Sequence, residues 1–375
     1  MKRLVFLGGE DVSARIEISK KFVELDYDIG IIGSQDERVF KKNDIFYTKY
    51  SLGRELNIFS DISTIIELRK ILKVQKEGTI IHAFDTKPTM FLPLSAFGLK
   101  NVKIVRTITG MGRIFTENSF KNSVLQLVYN IVQKLVALRV DFTVFQNDDD
   151  YAYFIKNNLV KNYNSKVIKS SGLNLKTFSV TTDNTKLDLL KEELSLNDEK
   201  TFILVSRMVE QKGIRYYLQA AKLCYEKGYN YNFLLVGQLD TDKSISLEEI
   251  QEYKQYVTYL GRREDVKELL QLSDIFVLPT YYREGVPRVL LEASALGLPL
   301  IATDMPGCRD VVEDEYNGKL IKIKNTQDLF EKMVYVAQSD KFKEYAQNAK
   351  QKVKEFDLDK VVIKYDEVYK KVMES

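Results

Sequence analysis

The stretch DIFVLPTYYREGVPRVLLEASALGLP, residues 274–299, has the pattern of a strand, a loop and a helix in succession. Its first part is a short apolar run typical of a buried strand. Pro287 suits the first position of the helix, because a proline lacks the backbone N–H that is unpaired there in any case. Gly297 lies just before Pro299 and marks the helix end. Between these markers a buried stripe is predicted at helical spacing, formed by Val289, Leu290, Ala293 and Leu296.

Similar units recur along the whole chain. The first half contains six strand candidates, RLVFLG, DIGIIGS, GTIIHAF, KIVRTIT, DFTVFQN and SKVIKSSG, and the second half contains TFILVSR, YNFLLVG, YVTYLG, DIFVLPT, LPLIAT and GKLIKI. Apolar runs that alternate with helical segments predict an α/β fold with parallel sheets. A polar and charged segment, residues 179–200, separates the two sets. We therefore predict two doubly wound, Rossmann-like domains, residues 1–180 and 181–355, with ligands beyond the carboxyl ends of the strands.

The last segment, residues 356–375, is predicted to be a helix with one apolar face. Its apolar side chains are spaced by three or four positions: Val361, Val362, Tyr365, Val368 and Val372. Such a helix packs one face against a domain, and we expect it to return to the first one.

Composition narrows the class of protein. The chain has 375 residues, 45% of them hydrophobic, which suits two globular domains. It contains no run of about 20 uncharged apolar residues that would span a bilayer. The N-terminal apolar run stops at Glu10 and is too short for a signal peptide, so it is interpreted as a first strand. The two cysteines, Cys224 and Cys308, lack metal-ligand spacing and indicate a reducing cytosol.

Charge is unevenly distributed along the chain. Residues 1–180 carry 27 basic and 19 acidic side chains, a net charge of +8, whereas residues 181–375 carry 29 basic and 34 acidic ones, a net charge of −5. A basic half favours an anionic partner. Nucleic acid, a membrane surface and a phosphorylated substrate all fit that description.

Two acids flank the start of the helix that begins near Pro287. Glu284 lies on the loop before the helix, and Glu292 lies within it, about 7 to 8 Å from the helix start at about 1.5 Å per residue. The backbone amides of Gly285 and Val286 lie between them, at a helix N-terminus that attracts phosphate. Surface charge on an ordinary connection is the alternative for any such pair. A sugar, a diphosphate and a ribose would nevertheless fit this order of groups.

A second cluster follows the first strand of the second domain. In VSRMVEQKG, Arg207 and Lys212 precede Gly213 and a predicted helix. Two cations at this place can neutralise the charge that grows on a departing diphosphate. A solvated loop is the alternative when this cluster is considered alone.

The order of these motifs resembles a known family. The segments VSRMVEQKG, VGQ and YLGRREDVKELLQLSDIFVLPTYYREGVPRVLLEASALGLPLIATDMPGCRDVVEDEYNGKLI resemble the donor domain of retaining glycosyltransferases of the GT-B fold, family four. HAFDTKP, TITGMGRIFT and IKSSGLNLKTF in the first half resemble the branch that extends undecaprenyl-diphosphate-linked glycans, including bacterial N-acetylgalactosaminyltransferases and capsule repeat-unit enzymes. The likeness covers nearly the whole chain and implies two domains that face each other across a cleft.

The resemblance implies roles for residues of the second domain. Arg207 and Lys212 would bind the donor diphosphate, Glu292 the ribose hydroxyls, and Glu284 would face the transferred sugar. The remaining donor-binding residues implied in this way are Gly237, Arg262, Gly285, Val286 and Pro287.

In the first domain the resemblance implies an acceptor site. Its residues would be Gly8, Gly9, Asp85, Lys87, Gly110, Gly112 and Arg113. Turns alone also explain such glycines, and LGGED is not the commonest form of the first loop.

Three residues near the end of one strand are candidates for handling the acceptor. His82, the single histidine, would share the proton of the incoming hydroxyl in a catalytic role, or would be structural, as lone histidines more often are. Lys87 is the candidate for the acceptor phosphate. Asp85 is a further candidate for taking the proton.

Two other segments have competing interpretations. The acids of NDDD, residues 147–150, suggest a metal site, but acids and Asn are also favoured where a helix begins, and helix capping is the preferred interpretation. No metal or other cofactor is therefore predicted, and the nucleotide sugar is a substrate. NSFKNSVLQLVYNIVQKLVALRV, residues 118–140, is predicted to be mainly a buried helix, although its basic edges also suit an anionic membrane surface.

The predicted enzyme is a metal-independent, retaining hexosyltransferase. It would move a hexose or N-acetylhexosamine from a UDP-sugar to a lipid-linked glycan acceptor in capsule, O-antigen, exopolysaccharide or glycoprotein glycan assembly. We expect it in the cytoplasm, peripherally associated with the inner face of the cytoplasmic membrane, without a nucleic-acid partner. The alternatives are a sugar-nucleotide epimerase of the same architecture and a non-catalytic anion-binding protein.

Overall fold

The structure, a computed structural model, divides the chain into two compact units. Unit 1 comprises residues 1–172 and 358–375, and unit 2 comprises residues 173–357. The described residues are 2–9, 11–53, 57–116, 119–178, 183–240 and 245–374, with only the backbone described at Arg113.

Unit 1 is built on a seven-stranded parallel sheet. Its strands are β1 (Lys2–Leu7), β2 (Tyr27–Gly33), β3 (Phe46–Lys49), β4 (Thr79–Ala83), β5 (Val102–Ile108), β6 (Phe142–Phe145) and β7 (Ser165–Val167). Their order is β3-β2-β1-β4-β5-β6-β7, so the chain reverses direction across the sheet between β1 and β4. Ligands of doubly wound sheets bind at such a switch point.

One strand of unit 1 was not predicted. β3 is a short edge strand whose residues are exposed or half-buried, and Phe46 is itself exposed. It therefore lacks the continuous apolar run that marks a strand covered on both faces.

Helices cover both faces of this sheet. They are α1 (Ile16–Val23), α2 (Arg38–Lys41), α3 (Ile58–Lys73), α4 (Thr86–Ser95), α5 (Phe120–Ala137), α6 (Asp148–Lys156) and, further along the chain, α15 (Leu358–Glu374). All five apolar residues predicted to form the packing face of α15 are buried in unit 1. The helix lies against β-strand residues such as Phe6 and Val105, as its pattern predicts.

Unit 2 repeats the same architecture with six parallel strands. They are β8 (Thr201–Val205), β9 (Asn232–Val236), β10 (Thr258–Tyr259), β11 (Ile275–Leu278), β12 (Leu300–Thr303) and β13 (Gly318–Ile321). The order β10-β9-β8-β11-β12-β13 places the switch point between β8 and β11. All six strands predicted for the second half are confirmed.

The helices of unit 2 enclose two apolar layers, one on each face of the sheet. They are α7 (Asn184–Glu193), α8 (Ile214–Glu226), α9 (Leu247–Gln251), α10 (Val266–Leu272), α11 (Arg288–Leu296), α12 (Cys308–Val311), α13 (Thr326–Gln338) and α14 (Phe342–Lys352). Gly297 ends α11 in the left-handed conformation, as predicted. None of the helices in the described part of the chain is long and apolar enough to cross a bilayer.

The chain passes from unit 1 to unit 2 after residue 172, eight residues before the predicted boundary at residue 180. Leu173 already belongs to unit 2, where it is fully buried and where its N–H donates to the carbonyl of Phe356 at 2.9 Å. Within the polar segment expected to be a linker, residues 184–193 form helix α7, capped by the Asp183 side chain.

Candidate active site

The central feature of the unit 2 site (Arg207, Lys212, Glu284 and Gly307) is an ion pair. The Lys212 Nζ lies 2.7 Å from Glu284 Oε1, and both side chains are less than one-fifth exposed. Lys212 ends a short 3-10 turn after β8, and Glu284 lies on the loop after β11. Because β8 and β11 flank the switch point, their loops bring these two charges to the place where doubly wound sheets bind ligands.

Hydrogen bonds attach the two loops to each other. The carbonyl oxygen of Gln211 accepts from the Tyr281 N–H at 2.9 Å. The Thr280 hydroxyl lies 3.1 Å from that carbonyl and 3.1 Å from Glu284 Oε1, so it can donate to either oxygen. Burial raises the pKa of the Tyr282 phenol, and the negative charge of Glu284 adds to the shift. Tyr282 therefore stays neutral beside the ion pair.

Two glycines permit this close approach of backbones. Gly213 has φ of 76°, and a Cβ there would lie 2.0 Å from the carbonyl oxygen of Pro279. Gly307 has φ of 81°, and a Cβ there would lie 1.5 Å from the carbonyl oxygen of Gly285. Both positions thus combine a left-handed backbone with contact too tight for any side chain. The loop that carries Glu284 is in this way supported by backbone from two neighbouring loops.

Arg207 lies at the exposed edge of this site. Its guanidinium Nη1 is 3.0 Å from Asp240 Oδ2, and its side chain is 63% exposed whereas that of Asp240 is 13% exposed. Arg207 follows β8 and Asp240 follows β9, so adjacent strand ends bring them together. Exposure leaves the guanidinium accessible to an anion from solution.

Two further residues predicted to bind the donor lie on loops near these strand ends. Gly237 has φ of 145°, and a Cβ there would lie 1.7 Å from the carbonyl oxygen of Ser206, so it brings the loop after β9 onto the loop after β8. Arg262 is exposed in the turn after β10. Arg263, the next residue, makes two hydrogen bonds to Asp265, at 2.8 and 2.6 Å.

The start of α11 differs slightly from the prediction. Pro287 is the N-cap, with an extended ψ of 117°, and Arg288 is the first helical residue. Gly285 and Val286 precede it on the loop, as expected. Glu292 lies one turn into the helix, with Oε1 2.9 Å from Nε of Arg288 and a side chain only 14% exposed.

In the unit 1 site (Gly8, Gly9, Asp85 and Gly110), residues meet at the ends of β1, β4 and β5. The Asp85 Oδ2 accepts from the Gly9 N–H at 3.0 Å, and it would lie 3.3 Å from a Cβ at Gly8. Asp85 and Gly110 line the same small cavity of about 10 Å³, together with Gln133. A cavity of this size holds about one water molecule.

Asp85 adopts a backbone conformation that is unusual for a residue with a side chain. Its φ is 68° and its ψ is 160°, a region occupied almost only by glycine. Strained residues of this kind cluster at ligand sites, where the surrounding structure holds them. The strain therefore supports Asp85 as the principal polar group of the unit 1 site.

The remaining residues predicted for the acceptor are distributed differently. Gly112 has φ of 70° and its carbonyl accepts from the Thr116 hydroxyl at 3.2 Å, so it shapes the turn after β5. The side chain of Arg113 lies outside the described part of the structure.

The prediction that His82 faces the acceptor is wrong. The ring is completely buried, its Nδ1 lies 2.6 Å from the Tyr369 hydroxyl, and its Nε2 lies 2.7 Å from the Thr107 hydroxyl. It is enclosed between Phe84 and α15. Burial lowers its pKa well below the ordinary value of 6.5. His82 is a neutral core residue and cannot reach a substrate from this position.

Lys87 also has a different environment from the predicted one. Its Nζ lies 2.7 Å from Asp61 Oδ1 and 2.9 Å from the carbonyl oxygen of Gly53, and its side chain is 12% exposed. The ammonium thus joins the start of α4 to the start of α3. A phosphate would have to displace the Asp61 carboxylate to reach the ammonium, so binding of the acceptor phosphate by Lys87 stays a prediction.

The interpretation of NDDD as a helix cap is confirmed. The Asn147 side chain accepts from the Asp150 N–H at 2.7 Å and begins α6, and Asp148 pairs with Lys169 at 2.8 Å. Across the described residues, no group of three His, Cys, Asp or Glu side chains is placed to hold a metal ion.

Sequence reasoning missed several members of the unit 2 site. Gly307 was present in the motif DMPGCRD, but the pattern does not show which backbone it touches. Asp240 follows the strand motif VGQ by two positions, and its place at a strand end was an available signal. Gln211 contributes through its backbone carbonyl. Every residue has this group, so the residue type could not indicate the role.

Comparison with known proteins places the chain in a family. Residues 186–355 match the model of the glycosyl transferases group 1 family. A Campylobacter jejuni protein, N,N'-diacetylbacillosaminyl-diphospho-undecaprenol alpha-1,3-N-acetylgalactosaminyltransferase, is 30% identical over 96% of this chain and 96% of its own. The chain belongs to the group 1 glycosyltransferases. An Escherichia coli relative of this glycosyltransferase, UDP-Gal:alpha-D-GlcNAc-diphosphoundecaprenol alpha-1,3-galactosyltransferase, is 29% identical over 85% of this chain and 82% of its own.

Solved structures agree on the fold of this glycosyltransferase. Anabaena Alr3699/HepE, crystallised with UDP and glucose, superposes with a TM-score of 0.80 over 99% of this chain and 100% of its own, at 17% identity. The two doubly wound sheets and this likeness identify the GT-B fold. The predicted family, fold and enzyme class are thereby confirmed.

Proposed function

We propose that this glycosyltransferase transfers a hexose or N-acetylhexosamine from a UDP-sugar to an undecaprenyl-diphosphate-linked glycan, with retention at the anomeric carbon. The names of the Campylobacter jejuni and Escherichia coli relatives support the choice of acceptor, because both contain a diphosphate-linked undecaprenol. Both names also specify an alpha-1,3 transfer, and the second specifies a UDP-sugar donor.

The observation that carries the proposal is the Lys212–Glu284 ion pair at the switch point of unit 2. A donor diphosphate would compete with the Glu284 carboxylate for the Lys212 ammonium, because both anions need the same cation. Release of Glu284 would then leave its carboxylate to accept hydrogen bonds from the sugar hydroxyls. Arg207, exposed at the edge of the site, would supply a second positive charge to the diphosphate.

Chemistry would proceed by displacement at the anomeric carbon. The acceptor hydroxyl oxygen forms the new bond to this carbon while the bond to the diphosphate oxygen breaks, and the electron pair of that bond leaves with UDP. Lys212 and Arg207 stabilise the charge that develops on the leaving group. The hydroxyl oxygen attacks from the face on which the diphosphate departs, which gives retention, and the hydroxyl proton passes to the departing phosphate oxygen.

The acceptor would be oriented by the unit 1 site. Asp85 has a carboxylate fixed by the Gly9 N–H, in a strained backbone at the end of β4. This carboxylate would hydrogen-bond the attacking hydroxyl and orient it. The enzyme would act at the inner face of the cytoplasmic membrane, where a lipid-linked acceptor is anchored, and without a metal ion.

The test is a transfer assay with purified enzyme and undecaprenyl-diphosphate-linked monosaccharide acceptors. UDP-linked galactose, N-acetylgalactosamine, glucose and N-acetylglucosamine are supplied separately, and the anomeric configuration of the product is determined by NMR. We expect one donor to give an α-linked product. Absence of transfer from every donor, or a β-linked product, would contradict the proposal.

A matched pair of variants tests the role of the ion pair. Lys212→Ala should lower kcat by about two to three orders of magnitude, the usual effect of removing a group that stabilises developing charge. Lys222→Ala removes a lysine from an exposed pair on α8 and should leave kcat unchanged. If Lys212→Ala turned over normally at saturating donor, the assignment of the leaving-group site would be wrong.

A further inference from the structure

Helix α5 exposes an unusually apolar face. Seven large apolar side chains along it are between 46% and 88% exposed, namely Phe120, Val124, Leu127, Val128, Ile131, Leu135 and Leu138 at its C-cap. Their spacing of three or four positions places them on one side of the helix, which we call the α5 stripe. The sequence favoured burial for this segment, so the exposure is a correction. A contiguous exposed apolar surface indicates an interaction site.

The opposite side of α5 points into unit 1 and carries several polar side chains beside the buried Val136. The Gln126 amide donates to the carbonyl of Ile114 at 2.7 Å, and the Asn130 side chain bonds the Tyr153 hydroxyl. Most of the large apolar side chains of α5 therefore face solvent, and Val136 is the one that is fully buried. The α5 stripe is therefore not the face by which the helix packs on unit 1.

A buried arginine fixes this orientation. Arg106 on β5 is completely buried, and its Nη1 donates to Gln133 Oε1 on α5 at 2.6 Å. Its Nε lies 3.2 Å from the Thr143 hydroxyl. Rotation of α5 to hide the stripe would remove Gln133 from the buried Arg106 guanidinium, and a buried charge that loses a hydrogen-bond partner is destabilising. The stripe therefore stays outside because its reverse side is bonded in place.

The charged side chains carried by α5 itself are all positive. Lys121 and Lys134 are exposed near the two ends of α5, and residues 119–139 contain no Asp or Glu. A groove of about 360 Å³ adjoins the end of the helix and is lined by Lys134, Leu138, Lys161 and Tyr163 among others. The Arg139 guanidinium, in contrast, donates hydrogen bonds to the backbone carbonyls of Leu99 and Val102, so we do not count it among the positive charges beside the α5 stripe.

A second apolar helix face lies in the same layer of unit 1. Ile58, Phe59, Ile62 and Ile66 at the start of α3 are each at least half exposed. α3 packs on α4, and α4 packs on α5, so both apolar faces belong to the helices that cover one side of the sheet.

We propose that the α5 stripe docks on a bilayer that contains anionic lipids, with Lys121 and Lys134 at the level of the phosphates. The choice of a lipid surface rests on the proposed function, because a lipid-linked acceptor must be met at the membrane. Apolar residues flanked by lysines suit the boundary between acyl chains and headgroups. A second copy of the chain fits less well, since α5 offers no carboxylate to pair the lysines that such a dimer would cover.

The test is co-sedimentation of the full chain with vesicles. Vesicles of phosphatidylcholine with phosphatidylglycerol should bind the protein, and pure phosphatidylcholine vesicles should bind it at least tenfold more weakly. The double variant Leu127→Glu/Ile131→Glu should reduce binding to anionic vesicles at least tenfold. Ile363→Glu, at a comparably exposed isoleucine on α15 (59% against 52% for Ile131), is the matched control and should bind normally. Unchanged binding of the double variant would overturn the proposal.

Further measurements separate the docking surface from the proposed function. Stabilisation of the double variant by UDP shows that it is folded and keeps its donor site. If the double variant does not fold, Lys121→Gln/Lys134→Gln replaces it and should lose the part of vesicle binding that salt screens. For the double variant, we expect transfer to a detergent-solubilised acceptor to persist and transfer to a vesicle-borne acceptor to fall.

Absence of all transfer by the wild type, with normal vesicle binding, would refute the proposed function alone. A change from dimer to monomer in the variant, without any vesicle binding by the wild type, would assign the stripe to self-association and overturn the proposal.

Discussion

At the scale of single residues, Gly307 shows how the position of a charged side chain depends on a neighbouring backbone. A Cβ at Gly307 would lie 1.5 Å from the carbonyl oxygen of Gly285 and 3.0 Å from that of Glu284. The loop that holds Glu284 can therefore keep its place only if residue 307 has no side chain. Displacement of a positioned group by about 1 Å can cost a factor of about 100 in rate.

We predict that Gly307→Ala lowers kcat/KM by about two orders of magnitude and destabilises unit 2 by more than about 1 kcal/mol. Gly228→Ala is the matched control, because Gly228 also has positive φ (84°) but no atom lies within 4 Å of its missing Cβ. Steady-state kinetics and thermal unfolding of both variants check the prediction. Equal effects of the two substitutions would mean that backbone conformation, and not contact with the Glu284 loop, determines the result.

His82 gives a prediction about pH. Its folded-state pKa is lowered well below 6.5 by burial, so the unfolded chain binds a proton below pH 6.5 that the folded chain does not bind. The free energy of unfolding should therefore decrease as pH falls below 6.5, by at most about 1.4 kcal/mol per pH unit. Since His82 is the single histidine, it is the side chain whose ordinary pKa lies in this range.

Denaturant unfolding between pH 5.5 and 7.5 measures this slope, and His82→Gln should reduce it. The same variant should keep the pH profile of kcat, because the imidazole does not reach a substrate. A variant that unfolds with the same slope as the wild type would show that another group titrates. Loss of kcat at full stability would restore a catalytic role for His82.

The contrast between the two sites shows what residue patterns can predict. Lys212 and Glu284 were singled out because each follows a strand and precedes a helix, and the order of the strands in unit 2 brings the two loops together. His82 also ends a strand, but its side chain points to the sheet face covered by α15, and its partner Tyr369 is 287 positions away. The position of a residue at a strand end does not show on which face of the sheet its side chain lies. It also does not show which later segment of the chain, here α15, covers that face. The ion pair of Lys87 was not predicted for the same reason, because its partner Asp61 lies on another helix.

At the scale of elements, α5 shows the limit of periodicity. A helical pattern indicates that one face is apolar, but it does not show which face meets the sheet. Here the deciding groups are Arg106 and Gln133, which form a hydrogen bond of 2.6 Å in the interior. Burial lowers the pKa of Arg106 to about 10, so the guanidinium remains charged at neutral pH.

We predict that Gln133→Leu destabilises unit 1 by about 1.5 to 3 kcal/mol, because it removes a hydrogen bond from a buried charge. Arg106→Met/Gln133→Leu should recover most of that loss, since an apolar pair of similar volume needs no hydrogen bond. Chemical denaturation of the single and double variants gives the coupling free energy. A cost below about 1 kcal/mol for Gln133→Leu would show that the bond does not hold α5.

At the scale of the whole molecule, the proposed chemistry depends on cations that belong to the chain. Lys212 and Arg207 provide two positive charges at the ends of strands of unit 2. We therefore predict that transfer continues after treatment with EDTA and that added Mg²⁺ or Mn²⁺ changes the rate by less than about twofold. Rates measured with chelator and with each metal check the prediction. Loss of activity in EDTA with recovery in Mn²⁺ would show that a metal is required.

The division of the chain was predicted less well than the strands. The charged segment before β8 was interpreted as a boundary, but charge marks a solvent-exposed surface and not a break between cores. Leu173 decides the boundary through burial in unit 2 and through its bond to Phe356. These contacts join residues far apart in sequence, so local composition could not indicate them.

Residues 172 and 358 are far apart in sequence but adjacent in space, and this determines how unit 2 is inserted into the chain of unit 1. A Cβ at Gly172 would lie 2.8 Å from the Cα of Leu358, so the chain leaves unit 1 and re-enters it at almost one point. Unit 2 is correspondingly closed at its own base, where Leu173 pairs with Asp357. Residues 173–357 expressed alone should therefore melt in a single cooperative transition, and a broad, non-cooperative melt would show that they depend on the rest. An insert with adjoining ends can be exchanged through two junctions, so residues 173–357 of a related enzyme can replace those of this chain without any change within unit 1.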